Sequence, residues 1–327
     1  MAIEVYTTTK ATQAGTPPVP QVSIGVPVYN GEPFIREALD SLLAQTFTDF
    51  ELIISDNAST DRTEAICREY AAKDERIRYV RQAEHCGAMA NFQFVLDEAV
   101  GEYFMWAAAD DIFYEIHLNR MVQLLTDSNC TLVASRPEHM ELSTRKPFQM
   151  REIPKGTFTK SKQKDFIALM RLHHWHYAKA CLLYGLYRRA EMHRISDLPF
   201  GKSMLDVGVD LLYLYQTIAS GGLVYSNEIT WRRGERFFCD ISRTDDSRRK
   251  IEKSAVRQLV FHVVKIFKGL DCTGRAHAID RYLLELSKIY DSAFGNLDAE
   301  FKSALKQNKR QIISLLMPTT PWIAGRP

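Results

Sequence analysis

The chain has 327 residues, of which 46% are hydrophobic and 25% charged, a composition typical of one large globular domain or of a domain with an appendage. The formal net charge is +2, so bulk charge does not indicate nucleic-acid binding. The six cysteines include no Cys-x-x-Cys pair, which disfavours a zinc site and a disulfide framework and makes a reducing cytoplasm the simplest compartment. No apolar run approaches the roughly 18 residues of a membrane-spanning helix.

Strands and helices are predicted to alternate over the first third of the chain. Residues 1–20 are rich in Thr, Ala, Gly and Pro, lack the apolar core of a signal peptide, and are predicted to be flexible. Strands are predicted at 22–29, 50–55, 76–82 and 102–108, with helices at 32–46, 61–72 and 88–100 between them. We expect Asp61 to cap the second helix. The alternation predicts an α/β fold with a mostly parallel sheet covered by helices.

Three of the predicted strands end in polar loop tips. In parallel α/β sheets, ligands bind outside the carboxyl ends of the strands, so these tips predict one binding edge. The first strand is followed by neither Gly-x-Gly-x-x-Gly nor a P-loop, which disfavours a dinucleotide site and a P-loop nucleotide site. The three tips are Tyr29-Asn30-Gly31, Ser55-Asp56-Asn57 and Ala109-Asp110-Asp111.

The rest of the chain is less regular. Residues 135–163 are polar and basic and predict an excursion or loop. Helices are predicted at 164–172 and 210–220, and strands at 181–189 and 223–233. From about residue 245 to about 317 the pattern is that of amphipathic helices.

Residues 22 to about 125 resemble family 2 glycosyltransferases. The motifs VSIGVPVYN, ALDSLLAQTFTDFELIISDNASTD, GAMANFQFVLDEAVGEYFMW and ADD follow one another in this order, and a weaker resemblance continues through YGLYRR and DLLYLYQTIASGG to about residue 235. The resemblance implies a GT-A fold, a Rossmann-like α/β architecture, at residues 21–240. Its nucleotide-binding half would be 21–125 and its acceptor half 126–240, with a helical extension at 241–327.

The resemblance implies a nucleotide pocket at the carboxyl ends of the first two predicted strands. In the family, the Pro-x-Tyr-Asn turn lines this pocket, and the acid that closes the second strand binds the base, usually uracil. Asp56 matches this acid, and Asn57 stands where the family commonly has a second acid. The predicted nucleotide contacts in this part of the chain are Pro27, Tyr29, Asn30, Glu32, Asp56 and Asn57.

The resemblance also implies a metal site after the fourth strand. Asp110 matches the last acid of the family's Asp-x-Asp motif, which binds the metal that bridges the diphosphate, and Asp111 matches an extra acid found in many members. Ala108 replaces the first acid of the motif, and Ala109 is a further predicted nucleotide contact. Mn²⁺ or Mg²⁺ is the expected ion, because hard cations prefer oxygen ligands and would neutralise the leaving diphosphate.

The general base is predicted in the second half of the chain. Inverting members use an Asp or Glu to take the proton of the acceptor hydroxyl. The resemblance points to Asp210, eleven residues before Gly221, with Asp206 as the second candidate.

The expected function is metal-dependent transfer of a sugar from a nucleotide-diphosphate sugar, with a UDP-sugar as the first candidate donor. The transfer is expected to invert the configuration of the sugar and to serve surface polysaccharide or glycoconjugate synthesis. Glycan, lipid-linked and protein acceptors all remain open, and a second copy of the chain is a further candidate partner. One alternative is a non-catalytic sugar-nucleotide binder or scaffold. A sugar nucleotidyltransferase ranks lower, because VPVYNGEPF has one Gly and no basic cluster.

Structural roles compete with the functional ones. Asp110 and Asp111 could cap a helix that begins near Tyr114, and Asp56 could form an Asx turn. Trp231, Arg232 and Arg233 could close over the diphosphate, or the two arginines could merely be solvated. The basic run at 302–310 fits the solvated face of a helix, with peripheral membrane contact as the minority alternative.

Overall fold

The computed structural model describes residues 4–6, 18–149, 153–161, 164–165, 168–169, 181–193, 214 and 217–235. Ten strands in these ranges form a single sheet. They are β1 Glu4–Tyr6, β2 Val22–Val28, β3 Phe50–Asp56, β4 Ile77–Arg81, β5 Tyr103–Trp106, β6 Ile112–Phe113, β7 Leu132–Glu141, β8 Lys146–Phe148, β9 Leu186–Arg188 and β10 Leu223–Glu235. The α-helices whose bounds lie in these ranges are α1 Ile35–Leu43, α2 Thr63–Ala71, α3 Ala88–Asp97, α4 His117–Thr126 and α5 Arg189–His193, and a 3₁₀ helix spans Leu182–Tyr184. Residues 217–221 are also helical.

The first half of the sheet is parallel, in the order β4-β3-β2-β5. Every residue of β2 is buried, as expected for a central strand of apolar and β-branched residues covered on both faces. Gly25 in β2 allows α3 to pack closely, because a Cβ at Gly25 would lie 2.6 Å from a methyl of Val95. Because β4, β3, β2 and β5 are all parallel, their carboxyl ends lie at one edge of the sheet.

The second half of the sheet is mixed. β9 lies antiparallel between β5 and β7, whereas β10 runs parallel to β7 and pairs antiparallel with the short β6. The predicted parallel sheet thus describes the first half well, and the antiparallel β9 joins it to the second half. No helix in the described ranges is long and apolar enough to cross a membrane.

The helices bury one apolar stripe each. In α1, Ile35, Ala38, Leu39 and Leu42 are buried and recur every three or four residues, as the sequence predicted. Asp61 was predicted to cap α2, but the N-cap residue is Arg62, which makes no side-chain capping hydrogen bond. The Asp61 carboxylate lies one residue earlier and accepts a hydrogen bond from the Thr63 backbone N–H at 3.0 Å. The helix itself begins at Thr63.

Three segments differ from the predicted elements. Residues 135–163, predicted as an excursion or loop, contain most of β7 and all of β8, which pair antiparallel. Residues 4–6, inside the segment predicted to be flexible, pair antiparallel with the edge of β4. The strand predicted at 181–189 is divided into the 3₁₀ helix and β9, with Gly185 between them. A Cβ at Gly185 would lie 2.4 Å from the carbonyl oxygen of Val133, so this bend depends on the close approach of β7. The helices predicted after residue 245 lie outside the described residues.

Candidate functional site

A cleft of about 300 Å³ opens at the carboxyl ends of β2 and β5. Its walls come from the loops after these two strands, from α3, from the 3₁₀ helix and from the end of β10. The cleft combines acidic, basic and aromatic side chains. Its lining residues are Pro27, Val28, Tyr29, Gly31, Phe34, Phe92, Ala108, Ala109, Asp110, Asp111, Tyr184, Arg233 and Gly234.

Asp110 lies at the tip of a tight turn that follows β5. The Asp111 backbone N–H donates to the carbonyl oxygen of Ala108 at 3.2 Å, which closes a four-residue turn with Ala109 and Asp110 at its centre. Asp110 is partly exposed and lines the cleft. The turn therefore places one carboxylate where a ligand in the cleft can reach it.

Asp111 faces the protein interior instead. Its side chain is 1% exposed, and its Oδ1 accepts a hydrogen bond from the Gly234 backbone N–H at 3.0 Å. A Cβ at Gly234 would lie 2.4 Å from the carbonyl oxygen of Asp110, so β10 approaches the turn as closely as only a glycine permits. Asp111 thus attaches the end of β10 to the turn that carries Asp110.

Neither acid caps the following helix. α4 begins at His117, and its N-cap residue, Ile116, makes no side-chain capping hydrogen bond. The helix-cap alternative for Asp110 and Asp111 is therefore not observed.

The loops after β2 and β3 are joined by hydrogen bonds. Asn30 Oδ1 accepts from the backbone N–H of Thr60 at 2.9 Å, and Glu32 Oε2 accepts from that of Arg62 at 3.0 Å. In return, the Glu32 backbone N–H donates to Asp61 Oδ2 at 3.1 Å. Asn30 has φ of 50°, a left-handed conformation that Asn tolerates. These hydrogen bonds hold the loops after β2 and β3 together beside the cleft. Neither Asn30 nor Glu32 is among the residues that line it.

Asp56 is fully buried at the end of β3, with 0% exposure. Its Oδ1 accepts from the Ser59 backbone N–H at 2.8 Å, and its Oδ2 accepts from the Tyr79 hydroxyl at 2.8 Å and from Arg81 Nη1 at 2.9 Å. Burial, together with the Asp56 charge, raises the pKa of Tyr79 well above its usual value. The bond to Ser59 is a local loop contact, but it spans three residues and not the two of the Asx turn offered as the structural alternative. Asp56 also forms an ion pair with the partly exposed Arg81.

Asn57 holds the loop between β4 and α3. Its Oδ1 accepts from the Cys86 backbone N–H at 2.8 Å, and its Nδ2 donates to the Gly87 carbonyl at 3.2 Å. The same loop places the ring of His85 against that of Tyr29, with centroids 4.6 Å apart.

The basic side of the cleft is Arg233 on β10. Its guanidinium lies 5.2 Å from the centre of the Tyr184 ring, and its Nη1 lies 3.5 Å from Cys181 Sγ. Sequence reasoning weighed Arg233 but did not identify Phe34, Phe92, Tyr184 or Gly234. These residues lie far apart along the chain, and no local pattern connects them.

The cleft suits a hard divalent cation. The described residues contain no group of three or more His, Cys, Asp or Glu side chains that could hold a metal by themselves. Mn²⁺ and Mg²⁺ commonly take one or two protein carboxylates, with substrate phosphates and water completing the shell. The carboxylate of Asp110 at the turn tip meets that requirement.

The two candidate general bases, Asp206 and Asp210, lie outside the described residues, as does the basic run at 302–310.

Comparison with known families identifies the family of the segment that contributes most of this cleft. The family model described as "Glycosyl transferase family 2" matches residues 23–183. Residues 23–183 belong to glycosyl transferase family 2. The matched segment contains β2 to β8, the turn that carries Asp110 and the 3₁₀ helix, so the resemblance inferred from the motifs is confirmed.

Curated relatives match about a third of this chain. An uncharacterized glycosyltransferase of Rickettsia typhi is 37% identical over 106 residues, 32% of each chain. The uncharacterized glycosyltransferase EpsJ of Bacillus subtilis is 38% identical over 106 residues, 32% of this chain and 30% of that protein. The putative teichuronic acid biosynthesis glycosyltransferase TuaG, also of Bacillus subtilis, is 32% identical over 111 residues, 34% of this chain and 44% of its own. The matches therefore span less than half the length of these relatives.

Solved structures show the fold of this chain. The crystal structure of S. aureus TarS residues 1–349 superposes with a TM-score of 0.63 at 15% identity, covering 91% of this chain and 83% of TarS. The same TarS fragment in complex with UDP-GlcNAc gives a TM-score of 0.63 at 17% identity, covering 91% of this chain and 82% of TarS. The GT-A fold predicted from the motifs is confirmed.

Proposed function

We propose that this protein transfers a sugar from a nucleotide-diphosphate sugar to an acceptor hydroxyl, with a divalent cation bound at Asp110. The observation that carries the proposal is the cleft itself. It brings Tyr29 from the end of β2, Asp110 from the turn after β5 and Arg233 from β10 to one cavity of about 300 Å³. An aromatic ring, a carboxylate and a guanidinium suit a nucleobase, a cation and a diphosphate, respectively.

The cation, when bound, supplies the positive charge that a departing diphosphate requires. Asp110 would hold it through its carboxylate oxygens. Asp111, buried and bonded to the Gly234 N–H, would keep the turn and β10 together so that Asp110 and Arg233 face the same ligand. This role differs from direct metal binding by Asp111, which the motif predicted.

Arg233 would provide a second positive charge. A guanidinium donates several hydrogen bonds in a fixed plane and stays ionised at any working pH. Ala108 lines the cleft where the family's motif has its first acid, so the ligand meets one carboxylate fewer on this side. Arg233 therefore shares with the cation the task of balancing the diphosphate charge.

UDP is the first donor nucleotide to test, because the solved TarS structure of similar fold carries UDP-GlcNAc. Inversion, with Asp210 or Asp206 as the base, remains part of the proposal. A cell-surface polysaccharide is the first acceptor class to test, since the relative TuaG is named for teichuronic acid biosynthesis.

A second candidate function is sugar-nucleotide binding without turnover. Two observations favour it: Ala108 replaces an acid in the cleft, and Asp111 is buried with Oδ1 bonded to backbone. If this candidate is correct, the protein will bind UDP-GlcNAc without releasing UDP.

Calorimetric titration with UDP, with and without Mn²⁺, tests the proposal. We expect metal-dependent binding that falls at least about tenfold in Asp110→Asn, since the variant loses a charged ligand to the ion. Asp127→Asn, an exposed residue at the end of α4, is the matched control and should bind like the parent protein. Absence of binding to UDP, GDP and dTDP in the parent would overturn the proposal, and turnover of UDP-GlcNAc would separate enzyme from binder.

A further inference from the structure

The turn between β7 and β8, residues 142–145, contacts two separate parts of the cleft wall. Leu142 lies against the end of β10, since a Cβ at Gly234 would lie 2.8 Å from Leu142 Cδ2. At the other end of the turn, the Arg145 guanidinium lies 5.9 Å from the centre of the Phe34 ring. Phe34 and Gly234 both line the cleft, so this turn reaches from one part of its wall to another.

An ion pair fastens the β7–β8 turn to α1. Arg145 Nη1 donates to Glu37 Oε2 at 2.7 Å, and Arg145 Nη2 donates to Glu37 Oε1 at 3.1 Å, so the guanidinium and the carboxylate meet through two hydrogen bonds. Glu37 lies in the first turn of α1, which begins directly after Phe34. The pair therefore joins the helix that follows β2 to the second half of the sheet.

The backbone of Arg145 is strained in this turn. Its φ is 56°, in the left-handed region that favours glycine, and its N–H closes the turn by donating to the Glu141 carbonyl at 2.8 Å. A glycine would close the same turn with less strain but would have no guanidinium for Glu37. The backbone and the ion pair thus make opposite demands on this position, and a substitution can separate them.

Stability alone is a weak explanation for the pair. The side chains of Arg145 and Glu37 are 44% and 52% exposed, and exposed ion pairs stabilise folded proteins little because water competes for both charges. The pair does determine where the turn lies relative to Phe34 and, through Leu142, to Gly234. Since Gly234 lies against the carbonyl of Asp110, a displaced turn would loosen the wall beside the proposed metal ligand.

We propose that Glu37 and Arg145 form a latch that keeps the β7–β8 turn against the cleft and slows the escape of bound nucleotide. Both are positioning residues, because they act through Phe34 and Gly234 and are not among the residues that line the cleft. Loss of the latch should raise the dissociation rate more than it changes the association rate. The inference rests on the proposed function, since a nucleoside diphosphate is the ligand that the latch retains.

Arg145→Gly separates the latch from the stability of the fold. The substitution removes the guanidinium and relieves the left-handed strain, so the melting temperature should stay close to that of the parent protein. UDP affinity in the presence of Mn²⁺ should nevertheless fall about threefold to fivefold, the range of one exposed ion pair, with a matching rise in the dissociation rate measured by stopped-flow. Lys160→Gly is the matched control: Lys160 is exposed, has φ of 64° and is not among the residues that line the cleft, so this variant should bind UDP like the parent.

Charge reversal tests the pair itself. Glu37→Arg brings two guanidinium groups together and should weaken UDP binding about fivefold or more. Glu37→Arg combined with Arg145→Glu should bind UDP more tightly than either single reversal. The melting temperature should recover less than the affinity, because an arginine in the first turn of α1 opposes the helix dipole in both variants that carry it.

The ion pair between Arg120 and Glu228 provides the control for charge reversal. Its nitrogen and oxygen lie 2.8 Å apart, and its side chains are 40% and 42% exposed, so it matches the latch in geometry and exposure. Neither residue lines the cleft. Glu228→Arg should therefore leave UDP affinity unchanged.

Two results would overturn the latch while the proposed function stands: UDP affinity and dissociation unchanged in Arg145→Gly, or a double reversal that binds no better than the single ones. An equal loss of affinity in Lys160→Gly would also overturn it, because the turn would then have no special role. A parent protein that binds none of UDP, GDP and dTDP would instead overturn the proposed function and the latch with it.

Discussion

At the residue scale, the polar side chains that the motifs single out fall into two groups. Asp110 lines the cleft, whereas Asn30, Asp56 and Asn57 make hydrogen bonds that hold loops in place. Asp56 and Asn57 belong to the second group because they are buried, and a buried carboxylate or amide must be satisfied by protein partners. Asn30 is only partly buried, as Asp110 is, and belongs to the second group through its bond to Thr60. A motif identifies the position in the chain but does not reveal the direction in which the side chain points.

His117 is a buried residue with a consequence for stability. It is 1% exposed, its Nδ1 lies 2.7 Å from Thr230 Oγ1, and burial lowers the pKa of its imidazole to about 3. Its Nε2 is buried without a hydrogen-bond partner among the described residues. Thr230 Oγ1 in turn lies 2.8 Å from Ser135 Oγ, so the neutral imidazole joins α4 to β10 and β7.

We predict that His117 makes the fold sensitive to mild acid. The unfolded chain binds a proton at His117 below about pH 6.5 and the folded protein only near pH 3, so the free energy of unfolding falls as pH decreases through this window. Between pH 7 and pH 5 the loss should be about 2 kcal/mol. Urea unfolding at several pH values measures it.

Two variants distinguish the protonation of His117 from its packing as the cause of the acid sensitivity. His117→Phe and His117→Gln both remove the ionisable group, so each should flatten the dependence on pH between 7 and 5 despite different starting stabilities. A slope equal to that of the parent protein in both variants would assign the acid sensitivity to other groups.

At the element scale, the end of β10 determines the shape of the cleft. β10 pairs with β7 over its length and with β6 near Trp231, whose ring stacks on Phe113 with centroids 5.7 Å apart. Arg232 beside it bonds Glu138 of β7 at 2.7 Å, and this ion pair, with Tyr114, lowers the pKa of Glu138. These contacts leave the next residue, Arg233, directed to the cleft.

Gly234→Ala should weaken ligand binding. A methyl group at this position would lie 2.4 Å from the Asp110 carbonyl oxygen and 2.8 Å from Leu142 Cδ2, so β10 must move away from the turn. We expect UDP affinity in the presence of Mn²⁺ to fall about tenfold or more, the scale of losing one supporting contact of a metal ligand.

Gly156→Ala is the matched control for this substitution. Gly156 has a positive φ of 76°, unlike Gly234, and a Cβ there would meet nothing within 4 Å. It should cost some stability through backbone strain and leave UDP affinity unchanged. An equal loss of affinity in both variants would show that a general loss of stability, and not the Gly234 contact, weakens binding.

At the scale of the whole molecule, the cleft lies where the two halves of the sheet meet. The parallel half supplies Tyr29 and Asp110, and the mixed half supplies Tyr184 and Arg233. A ligand that touches both halves binds the folded chain and not the unfolded one, so it stabilises the fold in proportion to its affinity and concentration.

Donor nucleotide should therefore raise the melting temperature. At UDP about 100 times its dissociation constant, with Mn²⁺ present, linkage predicts about 2.7 kcal/mol of added stability and an increase of several degrees. Differential scanning calorimetry measures it, with Asp110→Asn as the variant that should lose the increase. An increase produced by Mn²⁺ alone, unaffected by UDP or by Asp110→Asn, would contradict a shared nucleotide-metal site.

The first half of the fold could be predicted from the sequence because each strand and helix there shows a clear pattern of apolar residues within its own short segment. β2, β3 and β5 are short apolar runs, and the buried stripe of α1 shows in the spacing of Ile35, Leu39 and Leu42. The polar residues after these strands predicted a binding edge, and the structure has a cleft at that edge, where the ends of the parallel strands converge. The order of the motifs was enough to predict the family and the GT-A fold.

Only the three-dimensional packing decided how the site is assembled. That Asp111 bonds Gly234, that Arg233 lies over Tyr184 and that His85 meets Tyr29 all depend on segments distant in sequence. Such contacts leave no periodic pattern, because each is made by a single residue at a strand end or in a loop. The direction of a side chain is set by burial and hydrogen bonding in the folded protein, and local sequence does not contain that information.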